Sequence, residues 1–441
     1  MNNSIEHSNI KTLQALCATS SLHERLDIEF NDNSGLITKI SKASLSRDQV
    51  DYYFSDECVL FAAFGDIHIH AREDVSKKNI YKEDFNSTCC AALNGGVLFV
   101  GDMPNNPIPP IDDDSYDAKL NLTDSSLIPI LLYAGIGPET RPLSFPVPYK
   151  VYMGPSIGEL FFKDNESLDF VLKHYKNQVV SFHCEDPEIL ENNKENSSHE
   201  LRRPVEAELL ATETALQLIK KYHLKGKLCH YSAGSGLKLI SQAKKEGLHV
   251  DCEVTPQHLF YSIEKLKLKS KKEQIYFQMN PPIRYEEDRL SLIEGLKSGL
   301  IDILATDHAP HSQLEKEKGM SGLPGLDTFG PFVSWLILNQ KISVQTIAKV
   351  AAENPGDFFN QFLSSFNERN VHFRDLGKGM GHLKVGFSAS FTILNLSRPV
   401  TIKEENLKTK AQWSPFLGET FPGSVEKIFY RGVMINHGDY A

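Results

Sequence analysis

The chain of 441 residues has few long apolar runs. Nowhere do 18 apolar residues follow one another, and the first twenty residues have neither the basic start nor the sustained apolar core of a secretory signal. A long basic run is also missing. The 57 acidic and 47 basic residues give a formal net charge of -10. We therefore expect no membrane and no nucleic acid as a partner.

Cysteine is scarce, and no CxxC pair occurs. The chain has seven cysteines, an odd number: Cys17, Cys58, Cys89, Cys90, Cys184, Cys229 and Cys252. Most of them lie inside apolar segments. This usage is typical of reduced thiols and predicts a cytoplasmic protein. With 24% charged and 41% apolar residues, the composition excludes disordered and fibrous classes.

From residue 59 onward, eight short apolar runs of β type alternate with helix-like segments such as EAELLATETALQLIKKYH (206–223) and SGLKLISQAKKEG (235–247). The runs are VLFAAFGDIHIH (59–70), GVLFVGDMPN (96–105), LIPILLYAG (127–135), YKVYM (149–153), VVSFHCED (179–186), KLCHYSAG (227–234), LHVDCEVTP (248–256) and IDILATDHAPH (301–311). Eight strand–helix units predict an α/β fold of the (β/α)8 TIM-barrel type. EQIYFQMNPPIR (273–284) is expected to be an additional strand-like insertion after the seventh strand.

Both chain ends carry shorter alternating runs, among them RLDIEFND, GLITKIS, SASFTILNL and VEKIFYRGVMI. They predict one small β domain beside the barrel, built from residues 1–60 and 384–441, with the barrel at residues 61–383. Length is consistent with one large and one smaller domain.

Titratable side chains lie at the C-terminal ends of the predicted strands, where barrel enzymes place their active sites. They are His68, His70, His183, His230 and Asp307. His68 and His70 are two apart on one strand and therefore point to the same side. A single histidine here is more often a core or rim residue, but four imidazoles and a carboxylate together predict a metal site of the zinc type.

Taken together, the motifs resemble those of the amidohydrolase superfamily and, within it, the dihydroorotases. The matching pieces follow one another in the order of that family: GDIHIHARE, GDMPNNPIPP, YKVYM, VVSFHCED, LCHYSAGSG, CEVTPQHLF, MNPPIR, ATDHAPH, SGLPGLDTF, LKVGFSASFTILNL and SPFLGETFPGSV. They cover residues 60 to 430, whereas residues 1 to 58 match weakly.

The resemblance implies two Zn²⁺ ions per chain. One is held by His68 and His70 with Asp307, and the other by His183 and His230. Lys150 is implied as a carboxylated lysine that bridges the ions together with a hydroxide. Two alternatives stay open at this point: Lys150 as an ordinary lysine reaching solvent, and an aspartate as the bridging ligand, which some dihydroorotases use.

The resemblance also implies the roles of the other site residues. Asp307 is the catalytic acid and base, Arg72 pairs with a substrate carboxylate, Asn105 and His311 assist it, and Asn280 lines the ring pocket. The alternative for Arg72 is a surface arginine paired with Glu73 or Asp74. The alternative for Asn105 is a structural residue of a PNNP turn.

The expected activity is the zinc-dependent, reversible hydrolysis of L-dihydroorotate to N-carbamoyl-L-aspartate in pyrimidine (UMP) biosynthesis, with a small anionic molecule as substrate. Hydantoinase, dihydropyrimidinase and allantoinase activities are the alternatives, and their substrates lack the ring carboxylate. A non-catalytic assembly partner is a further alternative, although such proteins usually lose metal ligands. A homodimer is compatible with the resemblance.

Three further expectations concern segments around the site. Residues 185–200 are expected to form a solvated charged loop, and residues 312–325 a mobile loop at the pocket mouth. His174, His223 and His258 are expected to be solvated. His308 is expected either to support the site residues from behind or to be structural.

Overall fold

The computed structural model describes residues 9–155, 160–373 and 375–436. Their strands are β1 (Ile10–Ala18), β2 (His23–Asn31), β3 (Leu36–Lys42), β4 (Tyr52–Tyr53), β5 (Cys58–Ala62), β6 (Phe64–Ile69), β7 (Val97–Asp102), β8 (Ile130–Leu132), β9 (Ala134–Ile136), β10 (Tyr149–Tyr152), β11 (Val179–His183), β12 (Lys225–Leu228), β13 (Val250–Val254), β14 (Ile303–Leu304), β15 (Phe391–Asn395), β16 (Val400–Thr401), β17 (Thr420–Phe421), β18 (Ser424–Tyr430) and β19 (Val433–Ile435).

The helices of the same residues are α1 (Phe85–Asn94), α2 (Asp113–Leu120), α3 (Asn165–Leu172), α4 (Pro187–Asn193), α5 (His199–Arg202), α6 (Val205–Tyr222), α7 (Leu237–Lys245), α8 (Pro256–Phe260), α9 (Ile263–Lys267), α10 (Lys271–Gln274), α11 (Glu286–Lys297), α12 (Gln313–Glu317), α13 (Phe329–Leu338), α14 (Val344–Ala348), α15 (Asn354–Asn360) and α16 (Leu363–Arg369). A π-helical turn, Lys349–Glu353, joins α14 to α15. Within the described ranges, no helix is long and apolar enough to cross a membrane.

Parallel strands form a closed barrel. One set runs in the order β6, β7, β8, and the other in the order β9 to β14. The sets join at two places: β8 and β9 are separated only by Tyr133, and the His70 N–H donates to the carbonyl oxygen of His308 at 2.8 Å beside a parallel bridge from Ile69 to His308. All eight predicted β runs contain barrel strands, so the predicted fold class is confirmed.

A second sheet lies beside the barrel and draws on both chain ends. Its order is β19, β18, β15, β5, β1, β2, β3, with β4 paired to β1. Antiparallel pairing of β5 with β15 joins the early and late segments. Since β5 crosses position 60, the boundaries at 60/61 and 383/384 stay a prediction. Residues 1–8 and 437–441 of the predicted β domain lie outside the described residues.

The predicted strand at 273–284 is wrong. Residues 271–274 form α10, residues 275–277 form a 3₁₀ turn, and the rest is irregular. Ser270 and Glu273 form a capping box that starts α10, and Pro281 and Pro282 lack the N–H groups that a strand needs. The position of this segment after the seventh barrel strand, β13, agrees with the prediction.

Two expectations about solvated segments also need correction. Residues 185–200 contain α4 and the start of α5, and two of their acidic residues are buried. Glu185 pairs with Arg203, and Asp186 caps α4. His258 is buried in α8, where its Nε2 lies 3.1 Å from the Pro281 carbonyl oxygen. His174 and His223 are exposed, as expected.

Phe391 tests the packing of the second sheet. It is fully buried, with ring centroids 6.0 Å from Phe30 and 6.1 Å from Phe429. Truncation of a buried phenylalanine costs about 3 to 5 kcal/mol. We expect Phe391→Ala to lower the thermal unfolding temperature clearly, and the control Val433→Ala, at a position 58% exposed in the same sheet, to leave it nearly unchanged. Equal unfolding temperatures would contradict this packing.

Candidate active site

The C-terminal ends of the barrel strands surround a cavity of about 320 Å³. Eight of the ten predicted site residues line it: His68, His70, Arg72, Asn105, His183, His230, Asn280 and Asp307. The wall is completed by Tyr152, Pro155, Ala309 and residues Gly319 to Gly322. The sequence-based placement of these side chains at one end of the barrel is therefore reproduced by the fold.

His68, His70 and Asp307 form the first cluster. Asp307 Oδ1 lies 3.0 Å from His70 Nε2 and 3.4 Å from His68 Nε2. Each ring directs its other nitrogen to an oxygen: His68 Nδ1 lies 2.6 Å from Glu253 Oε1, and His70 Nδ1 lies 2.6 Å from Asn105 Oδ1. A proton on each Nδ1 satisfies these contacts and leaves both Nε2 lone pairs facing Asp307.

His183 and His230 form the second cluster. His183 Nδ1 lies 3.0 Å from His230 Nε2, and His183 Nε2 lies 2.7 Å from Glu185 Oε2. Arg203 pairs with the same carboxylate. Although burial alone would raise the pKa of Glu185, the Arg203 guanidinium and His183 hold it below its usual range. The ionised carboxylate therefore holds the His183 Nε2 proton and turns Nδ1 toward His230.

Lys150 lies near both clusters and has no neighbour that satisfies it. The side chain is fully buried, and among the described residues its Nζ has no hydrogen-bond partner. An ammonium at this position lowers the pKa of all four histidines and of Asp307. A buried amine without an acceptor is costly as a cation, and a metal-bridging carbamate would remove that cost.

Burial sets the protonation states of the clusters. It lowers the pKa of His68, His70, His183 and His230, so all four imidazoles are neutral at physiological pH. Neutral imidazole is the form that binds metal. Burial also raises the pKa of Asp307 to about 7, and a nearby divalent cation would lower it again. The donor set of nitrogens and a carboxylate suits zinc, so the residues fit a metal centre.

Glu253 is a site residue that the sequence analysis missed. Its Oε1 accepts the backbone N–H of His230 at 2.9 Å in addition to the contact with His68, and its second oxygen pairs with Lys227. The available signal was Glu253 itself, an acidic residue between Cys252 and Val254 in a barrel strand, where a buried carboxylate needs partners. Glu253 thus links three neighbouring elements at the floor of the site.

Arg72 is buried, with 5% of its surface exposed, so the alternative of a surface arginine is wrong. Its Nε lies 3.3 Å from the Pro310 carbonyl oxygen, and one terminal nitrogen lies 3.3 Å from His311 Nε2. Glu73 and Asp74 instead accept backbone N–H groups. Arg72 lines the cavity. Within the described ranges, no carboxylate forms an ion pair with its guanidinium.

The chain around Arg72 is held firmly. Asp102 Oδ1 accepts the Ala71 N–H at 2.8 Å, and the other Asp102 oxygen lies 2.6 Å from Lys119 Nζ in a buried ion pair. Arg72, His230 and Asp307 all have left-handed φ angles, of 64°, 37° and 49°. Such backbone conformations outside glycine cost free energy and cluster at functional sites, where the surrounding structure enforces them.

The remaining predicted residues take different places. Asn105 and Asn280 line the cavity, and Asn280 Oδ1 is buried without a hydrogen-bond partner among the described residues. His311 lies behind Arg72 rather than on the cavity wall; burial and the Arg72 cation lower the pKa of His311, so its Nε2 can accept from Arg72. Tyr152 was missed, although it lies two residues after Lys150 on the same strand face.

Glu253→Gln tests the role of the buried carboxylate. Removing the charge weakens the acceptor of His68 Nδ1 and leaves Lys227 without its anion. Loss of such a supporting contact typically costs 10- to 100-fold in metal affinity, and we expect about that loss in a zinc competition assay. The exposed Glu246→Gln serves as the control. Unchanged zinc affinity in folded Glu253→Gln would contradict the role.

Comparison with known proteins identifies relatives of nearly the full length of the chain. No family model matches the chain. A dihydroorotase from Thermococcus kodakarensis is 32% identical over 413 residues, which cover 92% of this chain and 90% of that protein. A dihydroorotase from Pyrococcus horikoshii is 32% identical over 411 residues, or 91% of this chain and 87% of that protein.

Solved structures show the same fold. The L-hydantoinase (dihydropyrimidinase) of Arthrobacter aurescens superposes with a TM-score of 0.81 at 23% identity, covering 97% of this chain and 95% of its own. A D-hydantoinase superposes with a TM-score of 0.80 at 20% identity, covering 98% and 96%. At such identities the likeness concerns the fold alone, whereas the sequence relatives above share nearly the whole chain at over 30% identity. The chain belongs to the dihydroorotase family.

Proposed function

We propose that the protein hydrolyses the cyclic amide of L-dihydroorotate reversibly to N-carbamoyl-L-aspartate. The observation that carries this proposal is Arg72: a buried guanidinium on the cavity wall, held by a carbonyl oxygen and a neutral imidazole. A buried cation without a paired anion is unstable, so the site favours an anionic ligand. The ring carboxylate of dihydroorotate would supply that anion, with two parallel hydrogen bonds to the guanidinium fork.

We further propose that the metal centre contains two zinc ions. His68, His70 and Asp307 would hold one and His183 and His230 the other, with Lys150 carboxylated between the clusters. When bound, divalent cations lower the pKa of water to about 7 and polarise an amide carbonyl. The orphaned Lys150 amine and the inward-facing imidazole nitrogens support this assignment.

The residues of the chain can divide the work of hydrolysis. Arg72 binds the carboxylate, His311 Nε2 steadies the guanidinium, and the free Asn280 Oδ1 can accept a ring N–H. Asp307 accepts a proton from water as the new C–O bond forms, and returns that proton to the ring nitrogen as the C–N bond breaks. In the reverse direction, the same carboxylate acts with the roles exchanged.

Substrates without a carboxylate should bind weakly in this cavity. A hydantoin, dihydrouracil or allantoin ring would leave the Arg72 cation desolvated and unpaired, which costs binding free energy. Complete clusters of ligands also argue against a non-catalytic assembly role. The geometry therefore favours dihydroorotate over the substrates after which the hydantoinases are named.

The reaction would place the protein in pyrimidine biosynthesis, and the seven free thiols support a cytoplasmic location. A homodimer, and the absence of membrane and nucleic-acid partners, stay predictions.

The first test is turnover of L-dihydroorotate beside hydantoin, dihydrouracil and allantoin, with wild type and Arg72→Met. We expect the wild type to hydrolyse dihydroorotate. In the variant we expect kcat/KM to fall by at least about 100-fold, because the substrate carboxylate loses its charge-assisted hydrogen bonds to the guanidinium. Arg72→Lys should recover part of the loss, since it keeps the charge but not the fork.

Two controls make that result specific. Zinc content should be the same in wild type and Arg72→Met, and the exposed Arg141→Met should retain full activity. If Arg72→Met hydrolyses dihydroorotate normally, or if the wild type prefers an uncharged ring, the assignment of the carboxylate site is wrong.

Lys150 provides a separate test of the metal centre. We expect about two zinc ions per chain in the wild type and loss of both zinc and activity in Lys150→Ala. Protein prepared with ¹³C-labelled bicarbonate should show a carbamate carbon signal in NMR that the variant lacks. The exposed Lys163→Ala is the matched control. Full zinc content in Lys150→Ala would contradict the bridging role.

A further inference from the structure

Lys316 is a buried lysine outside the catalytic clusters. It lies in α12, and its side chain is fully buried although its neighbours Glu317 and Lys318 are exposed. Its ammonium donates to three backbone carbonyl oxygens: Gln278 at 2.9 Å, Met320 at 2.7 Å and Gly322 at 3.0 Å. Since an ammonium has three N–H groups, this set satisfies it completely.

The three acceptors belong to two segments that form the cavity wall. Met320 and Gly322 line the cavity themselves, and Gln278 lies two residues before Asn280, which also lines it. The Gly322 N–H donates to the same Gln278 carbonyl oxygen at 2.9 Å. Lys316 therefore joins the 278–280 segment to the 319–322 segment from behind the wall.

Burying this cation is costly, and no anion offsets the cost. Within the described ranges, no carboxylate pairs with Lys316; beyond the carbonyl groups, its Nζ lies 5.5 Å from the centroid of the Trp413 ring. Trp413 in turn donates its Nε1–H to the His311 carbonyl oxygen at 2.8 Å. A charge held only by backbone oxygens and one ring fixes backbone positions, because moving any of the segments would leave it unsatisfied.

The 319–322 segment of the cavity wall packs closely against its neighbours at Gly322. Gly322 has a φ of 136°, and a Cβ placed on it would lie 2.5 Å from the Ala309 carbonyl oxygen and 3.0 Å from His311 Cδ2. The 319–322 segment is thus packed directly against the residues that support Arg72. Its position determines the shape of the cavity beside the proposed carboxylate site.

We propose that Lys316 is a positioning residue that sets substrate affinity by fixing these two wall segments against each other. This inference rests on the proposed dihydroorotate hydrolysis. Lys316 contacts neither the metal-binding clusters nor the cavity, so its loss should weaken the binding of substrate and transition state alike. Such a loss raises KM and leaves kcat nearly unchanged.

The test is Lys316→Met, which keeps the apolar stem and removes the ammonium. We expect KM for L-dihydroorotate to rise about tenfold or more, as for lost hydrogen bonds to a buried charge. We expect kcat to stay within about threefold and zinc content to be unchanged. Amide hydrogen exchange at residues 318–323 should be faster than in the wild type. The matched control is Lys318→Met, at an exposed position two residues further on, which should alter none of these quantities.

Lys316→Gln keeps two donors on a shorter side chain and should raise KM by less than Lys316→Met. It replaces Lys316→Met in the test if that variant does not fold. A folded variant with unchanged KM, or one that loses kcat and zinc together with affinity, overturns the proposal. Failure of both variants to fold overturns it as well, because Lys316 would then be a residue of the folding core.

A failure of the proposed function would look different. Wild-type protein that does not hydrolyse dihydroorotate would reject that function, whatever the variants do. Hydrogen exchange at residues 318–323, compared between Lys316→Met and Lys318→Met, tests the link between the wall segments without any substrate. Equal exchange in the two variants would reject the link itself.

Discussion

Glu253 is the buried carboxylate on which the geometry of the site depends. It orients His68 through Nδ1, holds the backbone of His230, and is itself neutralised by Lys227. These partners come from β6 and β12 and the turn after β12, so one side chain of β13 fixes a histidine from each cluster. Without it, the His68 imidazole would lose the acceptor that fixes its tautomer, and the backbone of His230 would lose a side-chain anchor.

Around this floor, the upper part of the site is built from charges that lack an anion. Arg72 is held by neutral groups, and Lys316 by carbonyl oxygens beside the Trp413 ring. The two cations differ in direction, since Arg72 lines the cavity while Lys316 is turned away from it. The Arg72 guanidinium can therefore bind a ligand carboxylate, whereas the Lys316 ammonium is fully hydrogen-bonded to the carbonyl oxygens of the cavity wall. The proposed metal ligands thus depend on contacts of Glu253, and the proposed substrate-binding wall depends on separate contacts of Arg72 and Lys316.

Much of this could be read from the sequence. Alternating β runs and helical segments predicted the barrel. Three of the proposed metal ligands, His183, His230 and Asp307, stood out because each closes an apolar run, as His183 closes VVSFH. Residues that act by pairing inside the fold could not be read in this way. Glu253, Lys316 and Asp102 each have a partner at least 17 residues away in the sequence, which only the fold brings into contact. The same reason explains the error at His258, whose acceptor lies in the misassigned 273–284 segment.

The most direct measurement is an X-ray structure of the protein with bound dihydroorotate, recorded with anomalous data at the zinc edge. We predict two anomalous peaks, one between His68, His70 and Asp307 and one between His183 and His230, with extra density on Lys150 Nζ between them. The ring carboxylate should contact Arg72. A single metal peak, an unmodified Lys150, or a substrate whose carboxylate lies away from Arg72 would contradict the proposed site.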